Sequence, residues 1–561
     1  MNRQRTFPVK TCLMMTLVLA VGFLTTVTAS AQSVSLLLTF DTEDANDQNP
    51  LISPGAPKSS GIFAQGRDGN LYSTTSTGGL MNAGTIYQIT PAGVLGWVYS
   101  FTGSGTDGIG AVGGLSLCTD GNFYGTTQTG GTSNQGTILK ITPTGTLTTL
   151  HSFNGNDGGD PVAPPVVGRD GNLYGTTQQG GTFIGVTYKI TPAGVFTLLS
   201  TVPEEPDAPL VLASDGNFYG TSHSGGTSGL GTVFRMTTAG TVTTLFSFSG
   251  TNGTAPVGPV TQGTDGNLYG TTSAGGDASG DGVVFKLTTA GKITILHTFN
   301  GADGSTPLGG LVQASDGNFY GVTSAGGGLS HGTLFSVNFA GVFTNLFNFD
   351  KTTFGTTPEL TLIQHTTGPI YGDTFDGGTT IEEGGGSVSG QGTLYSDNTM
   401  AGLLPFVSLV STGGKVGISV GILGQGFTGA TSVSFNGVAA KFTSVSDTFL
   451  TATVPAGATK GTVTVVTAKG TLTSGKVFVV VPNLISFSPT SGKVASSVVL
   501  TGSGFTKASK VTFGGVKATA FTVNSESQIA ATVPTGAKTG KIVVTTPGGT
   551  ATSSGTFTVT Q

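Results

Sequence analysis

Between residues 311 and 349 the chain alternates short apolar runs with clusters of turn-forming residues. "LVQAS" is followed by Asp316-Gly317-Asn318, then "FYGVTS", a Gly-rich loop, "GTLFSVN", an Ala340-Gly341 turn and "VFTNLFNF". The runs are rich in Val, Leu, Phe, Tyr and Thr and carry no helical period, so the pattern predicts four β-strands joined by turns. The same unit recurs along the chain. Its Asp falls at Asp68, Asp120, Asp170, Asp215, Asp265 and Asp316, with a degenerate copy at Thr367, at intervals of 45 to 52 residues. Seven four-strand units at this period are the construction of a β-propeller; a β-helix, the second choice, has much shorter rungs.

Closure of the ring is also written in the pattern. "LLLTFD" at 36–41 looks like the fourth-strand stretch "LFNFD" at 346–350 but stands before the first full unit. The seventh unit shows its first three strands near 361–364, 370–375 and 392–396, so the N-terminal strand is expected to complete the last blade and remove an open edge. The Asp-Gly-Asn element reads as a two-residue hairpin turn in which Gly and Asn can take positive φ. The residue before the Tyr and the Tyr itself point to opposite faces of the next strand, so at least one should fill the space between blades. Nearly equal copies spread around a ring cannot all line one pocket. The six Asp are therefore structural turn residues, and a ligand site is expected where the repeats differ.

Beyond residue 400 a second repeat begins. "VSLVSTGGKV" (407–416) matches "ISFSPTSGKV" (485–494); Gly424-Gln425-Gly426-Phe427 pairs with Gly502-Ser503-Gly504-Phe505, and Thr453-Val454-Pro455 with Thr532-Val533-Pro534. Alternating Val/Thr/Phe runs with frequent turns and no Cys…Trp…Cys pattern read as two small immunoglobulin-like sandwiches without a disulfide. The expected fold is all-β, a seven-bladed β-propeller followed by two immunoglobulin-like β-sandwiches. The division is 1–31 for a leader, 32–405 for the propeller, and 406–482 and 483–561 for the sandwiches.

The first 31 residues carry a basic stretch (Arg3, Arg5, Lys10), an apolar stretch from Leu13 to Ala29 and a small-residue Ala29-Ser30-Ala31 end. That is the layout of a cleavable secretory signal, and no other stretch is long and apolar enough to span a bilayer. Cleavage removes three positive charges, taking the formal net charge from −5 to −8. Only 9% of residues are charged, which argues against nucleic-acid binding, a task for clustered Lys and Arg. Of the two Cys, Cys12 leaves with the leader and Cys118 remains, in the apolar run "LSLC", as a small buried hydrophobe with no disulfide partner.

The repeated "DGNFYGTT…GG…GT(V/L)FK(I/L)T…LHSF" unit resembles the GloVer tandem-repeat (choice-of-anchor) proteins, secreted bacterial proteins without an assigned reaction. The GxGF turn, the V-x-F-G/N-G-V hairpin and the T-V-P segment resemble tandem IPT/TIG domains. Together the resemblances cover nearly the whole mature chain. Some repeat-family members carry C-terminal sorting anchors; this sequence ends in a sandwich strand at Gln561. The resemblance implies a cell-surface or extracellular protein and supplies no chemistry.

Candidate chemistry is sparse. Gly328-Leu329-Ser330-His331-Gly332 fits G-x-S-x-G but lies between two β runs rather than at a strand-to-helix turn. Gly424-x-Gly426-x-x-Gly429 fits a dinucleotide fingerprint but leads into a strand, without a helix N-terminus for a pyrophosphate. His151 and His297 occupy a position held elsewhere by Tyr99, Phe246 and Phe347, as a packing residue would; His223, His331 and His365 stand singly. Asp41, Asp44 and Asp47, with Asp157 and Asp160, offer carboxylates to calcium in a loose pattern without EF-hand register; no other cofactor is indicated. Glu204-Glu205 and Glu382-Glu383 read as solvated loop charges.

The expected function is an exported, non-catalytic binding or scaffold protein at the cell surface or in the extracellular space, with a glycan or protein as partner. The alternatives are a polysaccharide lyase or hydrolase with its site in the propeller channel, and a purely structural matrix protein. The residues tilt against an enzyme. An enzyme would need non-consensus charged residues, Arg169, Arg235, Asp373 and Asp376 among them, to converge.

Overall fold

A computed structural model describes residues 34–40, 62–103, 106–180, 185–202, 205–381, 387–389, 392–397 and 403–561. Among them there is no α-helix; the one helical element is a single 3-10 turn, Phe427–Gly429. The described residues between 34 and 397 form seven four-stranded antiparallel sheets of propeller-blade type, six of them with strands in chain order from centre to rim. Six span 64–100, 116–152, 166–201, 211–247, 261–298 and 312–348; they are the first to sixth blades here. The seventh combines Ile363–Gln364, Ile370–Thr374 and Thr393–Asp397 with the N-terminal strand Val34–Thr39 as its outer member. That strand pairs antiparallel with the third, Val34 opposite Asp397 and Thr39 opposite Thr393.

The repeated residues explain the blades. The second strand of every blade, the "FYGTT" stretch, is buried along its whole length, whereas the outer strand is mostly half-buried with one to three exposed positions. The Gly of this strand faces an aromatic ring across the sheet: Gly175 opposes Tyr188, Gly220 Phe234, Gly270 Phe285 and Gly321 Phe335. A Cβ at Gly270 or Gly321 would come within 2.7 Å of the facing ring. Glycine is required here by close approach. Blade two, with Leu139 opposite Gly125, fills the gap with Leu115 instead.

Threonine hydroxyls at the ends of the second and third strands are buried and satisfy one another, as in Thr75–Thr85, Thr127–Thr137 and Thr323–Thr333, each at 2.8 Å.

Neighbouring blades meet through the motif aromatics. Tyr72 stacks on Phe123 of the next blade at 4.1 Å between centroids, Tyr174 on Phe218 at 4.5 Å and Tyr269 on Phe319 at 4.0 Å. Tyr124 with Leu173, Tyr219 with Leu268, Tyr320 with Ile370 and Tyr371 with Leu71 share buried clusters in the same way. Both motif residues therefore build the inter-blade seams, one toward each neighbour.

The last pair closes the ring from the seventh blade to the first. Polar contacts reinforce that closure. Gln65 exchanges hydrogen bonds with the Thr366 hydroxyl (2.7 Å) and backbone N–H (3.1 Å), and the buried His365 meets the Gly69 carbonyl at 2.8 Å.

Each C-terminal module is a pair of four-stranded sheets around an apolar core. Phe435 and Phe478 pack edge-on at 4.9 Å in the first, Phe513 and Phe557 at 5.1 Å in the second.

Candidate binding surfaces of the ring

Strand connectivity gives the ring two unlike faces. The Asp-Gly-Asn turns, between first and second strands, lie on one; the loops after the second strand and the crossings between blades lie on the other. In all six Asp turns one carboxylate oxygen accepts the backbone N–H of the Asn two residues on. The other accepts the Asn amide and the Tyr hydroxyl four residues on, the latter at 2.6–2.9 Å.

The turn itself differs from a two-residue hairpin. Gly66 N–H donates to Asn70 O and Gly69 N–H to Gly66 O, which encloses three residues, Arg67-Asp68-Gly69. Only the Gly takes positive φ, from 80° to 90° across the six copies. This is the three-residue loop that ends in a left-handed residue. The Asn instead serves as a donor to the Asp carboxylate.

The Asp-Gly-Asn face is covered in part by the first sandwich. Thr448 Oγ1 donates to Arg67 O at 2.7 Å, and the Arg67 guanidinium lies 4.5 Å from the Phe449 ring centroid. Gln425 donates to the Thr366 hydroxyl at 3.3 Å and Lys460 Nζ to the Ser214 hydroxyl at 3.0 Å. Gly413 is so close to the Arg169 side chain that a Cβ would come within 2.6 Å of its Cδ. Blades one, three, four and seven are thus engaged.

Here the repeats diverge at the residue before the Asp. In four seams a Gln of the next blade accepts its N–H, as Gln262 does from Ser214 and Gln313 from Thr264. In two others an Arg reaches forward, Arg67 to Thr119 O and Arg169 to Ala213 O. Burial lowers the Arg169 pKa to about 10, with Asp215 opposing the shift.

On the opposite face the position after the second strand varies most: Ser76, Gln128, Gln178, His223, Ser273, Ser324 and Phe375. Between blades three and four this variation forms a polar cluster. His223 Nδ1 pairs with Asp207 Oδ2, and its Nε2 lies 3.5 Å from Glu205 Oε2. Gln178 Nε2 donates to the second Asp207 oxygen at 2.6 Å. The Asp207 side chain is only 12% exposed, while His223 and Glu205 are 39% and 53% exposed, so the group opens to solvent. The Asp207 hydrogen bond raises the His223 pKa, outweighing burial. Gln179 donates to Asp160 at 3.3 Å in the same region.

His223 stands alone in the sequence because its partners sit 16 and 18 residues upstream in an irregular crossing. The polar substitutions at one repeat position were the available signal.

The other candidates fall elsewhere. His151 and His297 stack flat on Phe196 and Phe343 of the next blade, at 3.9 and 3.7 Å, and pair with Asp157 (3.1 Å) and Asp303 (3.0 Å). Asp157 is further occupied by Asn154, and no three potential metal ligands gather among the described residues. Asp41, Asp44 and Asp47, like the leader 1–31, lie outside the described residues.

Ser330 sits in a loop at φ 60° rather than in a nucleophile elbow. Gly426 donates its N–H to Asp447 ahead of the strand Ser432–Phe435. Arg169 lies under the sandwich, Arg235 pairs with Tyr219 within blade four, Asp373 is fully buried in blade seven and Asp376 is on the opposite, loop face. The four are distributed over three blades. Cys118 is buried, with a pKa raised by that burial.

The profile of the Gloeobacter/Verrucomicrobia repeat matches residues 20–203 and 185–388, more than half of the chain. The chain belongs to this repeat family. IPT/TIG domains match at 405–480 and 482–559, giving this member two such modules after its repeats. No curated protein matches.

Among solved structures the chain is similar to a fungal alcohol oxidase solved with copper, at 14% identity and a TM-score of 0.42, covering 80% of this chain and all of that one. It is also similar to a xyloglucan-locus SGBP-B of Bacteroides uniformis, at 20% identity and a TM-score of 0.15, covering 27% of this chain and 48% of that one. A gluconolactonase of Xanthomonas campestris shows 10% identity and a TM-score of 0.32, covering 51% of this chain and 84% of that one. No described helix is long and apolar enough to cross a membrane.

Proposed function

We propose that the chain is an exported, non-catalytic binding protein whose recognition surface is the open loop face of the ring, and that its ligand is a glycan. One observation carries this reading: the first sandwich is seated on the Asp-Gly-Asn face, whereas the opposite face is open and carries the polar cluster between blades three and four. There Gln178, Asp207, His223 and Glu205 present amide, imidazole and carboxylate groups in one patch. Such groups hydrogen-bond sugar hydroxyls in pairs, and Asp207 is already held in place by Gln178. In this reading residues 1–31 direct export, 32–405 form the seven-bladed recognition ring, and 406–482 and 483–561 hold it away from the surface that carries it.

The test is a glycan array probed with mature protein and with Gln178→Ala and His223→Ala. A ligand lost by both variants at unchanged thermal stability supports the reading. A ligand bound equally by both removes this patch from the site. Absence of any ligand leaves the structural-matrix role.

A second reading is favoured by the His223–Asp207 pair. An imidazole oriented by a carboxylate, with a second acid nearby, is an acid–base arrangement suited to glycosidic bond cleavage. Product release from a bound polysaccharide, abolished in His223→Gln while binding persists, would establish that reading instead.

A further inference from the structure

On the covered side, the ring and first sandwich enclose an open cleft of about 230 Å³ lined by Arg169, Lys460 and Lys476. It adjoins a second of about 280 Å³ between the two sandwiches, which shares Lys460 and Val477 and adds Lys507. Four cations therefore line this trough of two adjoining clefts in a chain of formal net charge −5. The single lining carboxylate, Asp265, is already engaged by Lys286 at 2.8 Å and by Asn267 and Tyr269. Arg169 spends one guanidinium nitrogen on Ala213 O and its buried Nε has no hydrogen-bond partner.

Lys460 has its pKa lowered by partial burial and then by neighbouring Arg169, with Asp215 opposing, so the two cations sit close together beside one carboxylate. Lys476 keeps solvent access, yet the protein atoms crowding its ammonium lower its pKa as well. Positive charge gathered at a cleft in this way, offset only in part by Asp215, attracts an anion.

We propose that this trough binds a segment of an acidic oligosaccharide through its carboxylates, at a site separate from the open face. The rest of the lining is mainly Ser, Thr and Gly with short aliphatic side chains, and lacks an aromatic or large apolar pocket that a peptide anchor would require. Hydroxyl and ammonium donors suit a sugar acid. Each cleft has room for about one sugar ring, and their adjacency suits consecutive units.

The experiment is calorimetric titration of the mature protein with oligogalacturonate, monomeric galacturonate, neutral galacto-oligosaccharide and an acidic peptide of equal charge. The expected result is oligogalacturonate binding that weakens with salt, weaker binding of the monomer, and none of the neutral sugar. Lys460→Gln/Lys476→Gln should weaken it about 100-fold, tenfold for each charge-assisted bond removed. Lys510→Gln/Lys517→Gln, on the second sandwich outside both clefts, should not change it.

Equal binding by the Lys460/Lys476 variant, equal binding of the neutral sugar, preference for the peptide, or no oligogalacturonate binding would each overturn the proposal. If the double variant does not fold, Lys476→Gln alone, with an expected tenfold loss, decides. His223→Ala should leave this binding intact, which separates failure here from failure of the open-face reading.

Discussion

The seam between the first two blades makes a quantitative prediction. Tyr72 is fully buried, stacks on Phe123 at 4.1 Å and donates from its hydroxyl to Asp68 at 2.8 Å. Tyr72→Phe keeps the ring and deletes the hydroxyl. Asp68 still accepts from Asn70, through backbone and side chain, and from Gln88 at 2.9 Å. The hydroxyl also accepts from Gln88 at 2.7 Å, so two hydrogen bonds go while no buried carboxylate is stranded, a loss of about 2 kcal/mol. Tyr72→Ala removes the ring as well. Loss of a fully buried aromatic from a packed cluster costs about 4 kcal/mol, with about 1 kcal/mol more for the stacked geometry.

The expected ratio of the two effects is therefore about five to two. The only Trp of the chain reports on this seam, since Trp97 lies 6.0 Å from Tyr72 and its indole N–H donates to Pro143 O of the second blade. Urea titration followed by Trp fluorescence gives both values. Comparable losses for Phe and Ala would mean that the turn hydrogen bond, and not the stack, holds the seam. A loss below about 1 kcal/mol for Ala would refute the packing argument altogether.

Other consequences can be checked separately. Gly270→Ala should destabilise by about 2–3 kcal/mol, because its Cβ meets Phe285 at 2.7 Å in a packed strand. Gly317→Ala, at φ 89° with open space around it, should lose only about 1 kcal/mol of backbone preference in the same denaturation assay. In an NMR titration His223 should have its pKa above the ordinary histidine value and His151 and His297 theirs below it. The raised pKa of His223 stabilises the fold fully below about pH 6.5, and this is lost as pH rises through its folded value. Asp207→Asn should remove that acid-side increment. The depressed pair acts in the opposite sense: their contribution is present above about pH 6.5 and lost as pH falls from there through their folded values. Cys118 should resist a thiol reagent in the native protein and react stoichiometrically in denaturant, as burial raises its pKa.

The architecture was legible because its determinants are local. Alternating apolar runs, Gly at the turn and Asp four residues before Tyr all act within one unit, and six copies repeat the evidence. Even the N-terminal strand could be placed, since "LLLTFD" carries a fourth-strand pattern without a unit of its own. What escaped depends on distances that no period encodes. The Gly opposite a cross-strand aromatic is intelligible only once Gly270 and Phe285 are paired. His223 acquires its role from Asp207, on a crossing rather than a strand. The seating of the first sandwich through Thr448 and Lys460 joins residues more than 200 positions from their partners. The turn was misjudged by one residue because Asp-Gly-Asn fits both a two-residue and a three-residue hairpin, and only the Gly66–Asn70 hydrogen bond decides.

The position of Val34–Thr39 has a consequence for the order in which the molecule assembles. Every other blade strand finds its neighbour nearby in the chain, but these six residues pair with a strand more than 350 residues later. In a chain synthesised from its N-terminus, the first strand made is the last one used. Gathering so long a loop opposes closure by about 5 kcal/mol of chain entropy, against which the strand's hydrogen bonds and the first–seventh seam must act together. Six blades can form from local contacts before that step, and the slow event is the clasp. Until then the oldest strand and the newest both present bare edges, so the interval before closure, rather than the finished ring, is when this chain is most exposed to joining with another copy of itself.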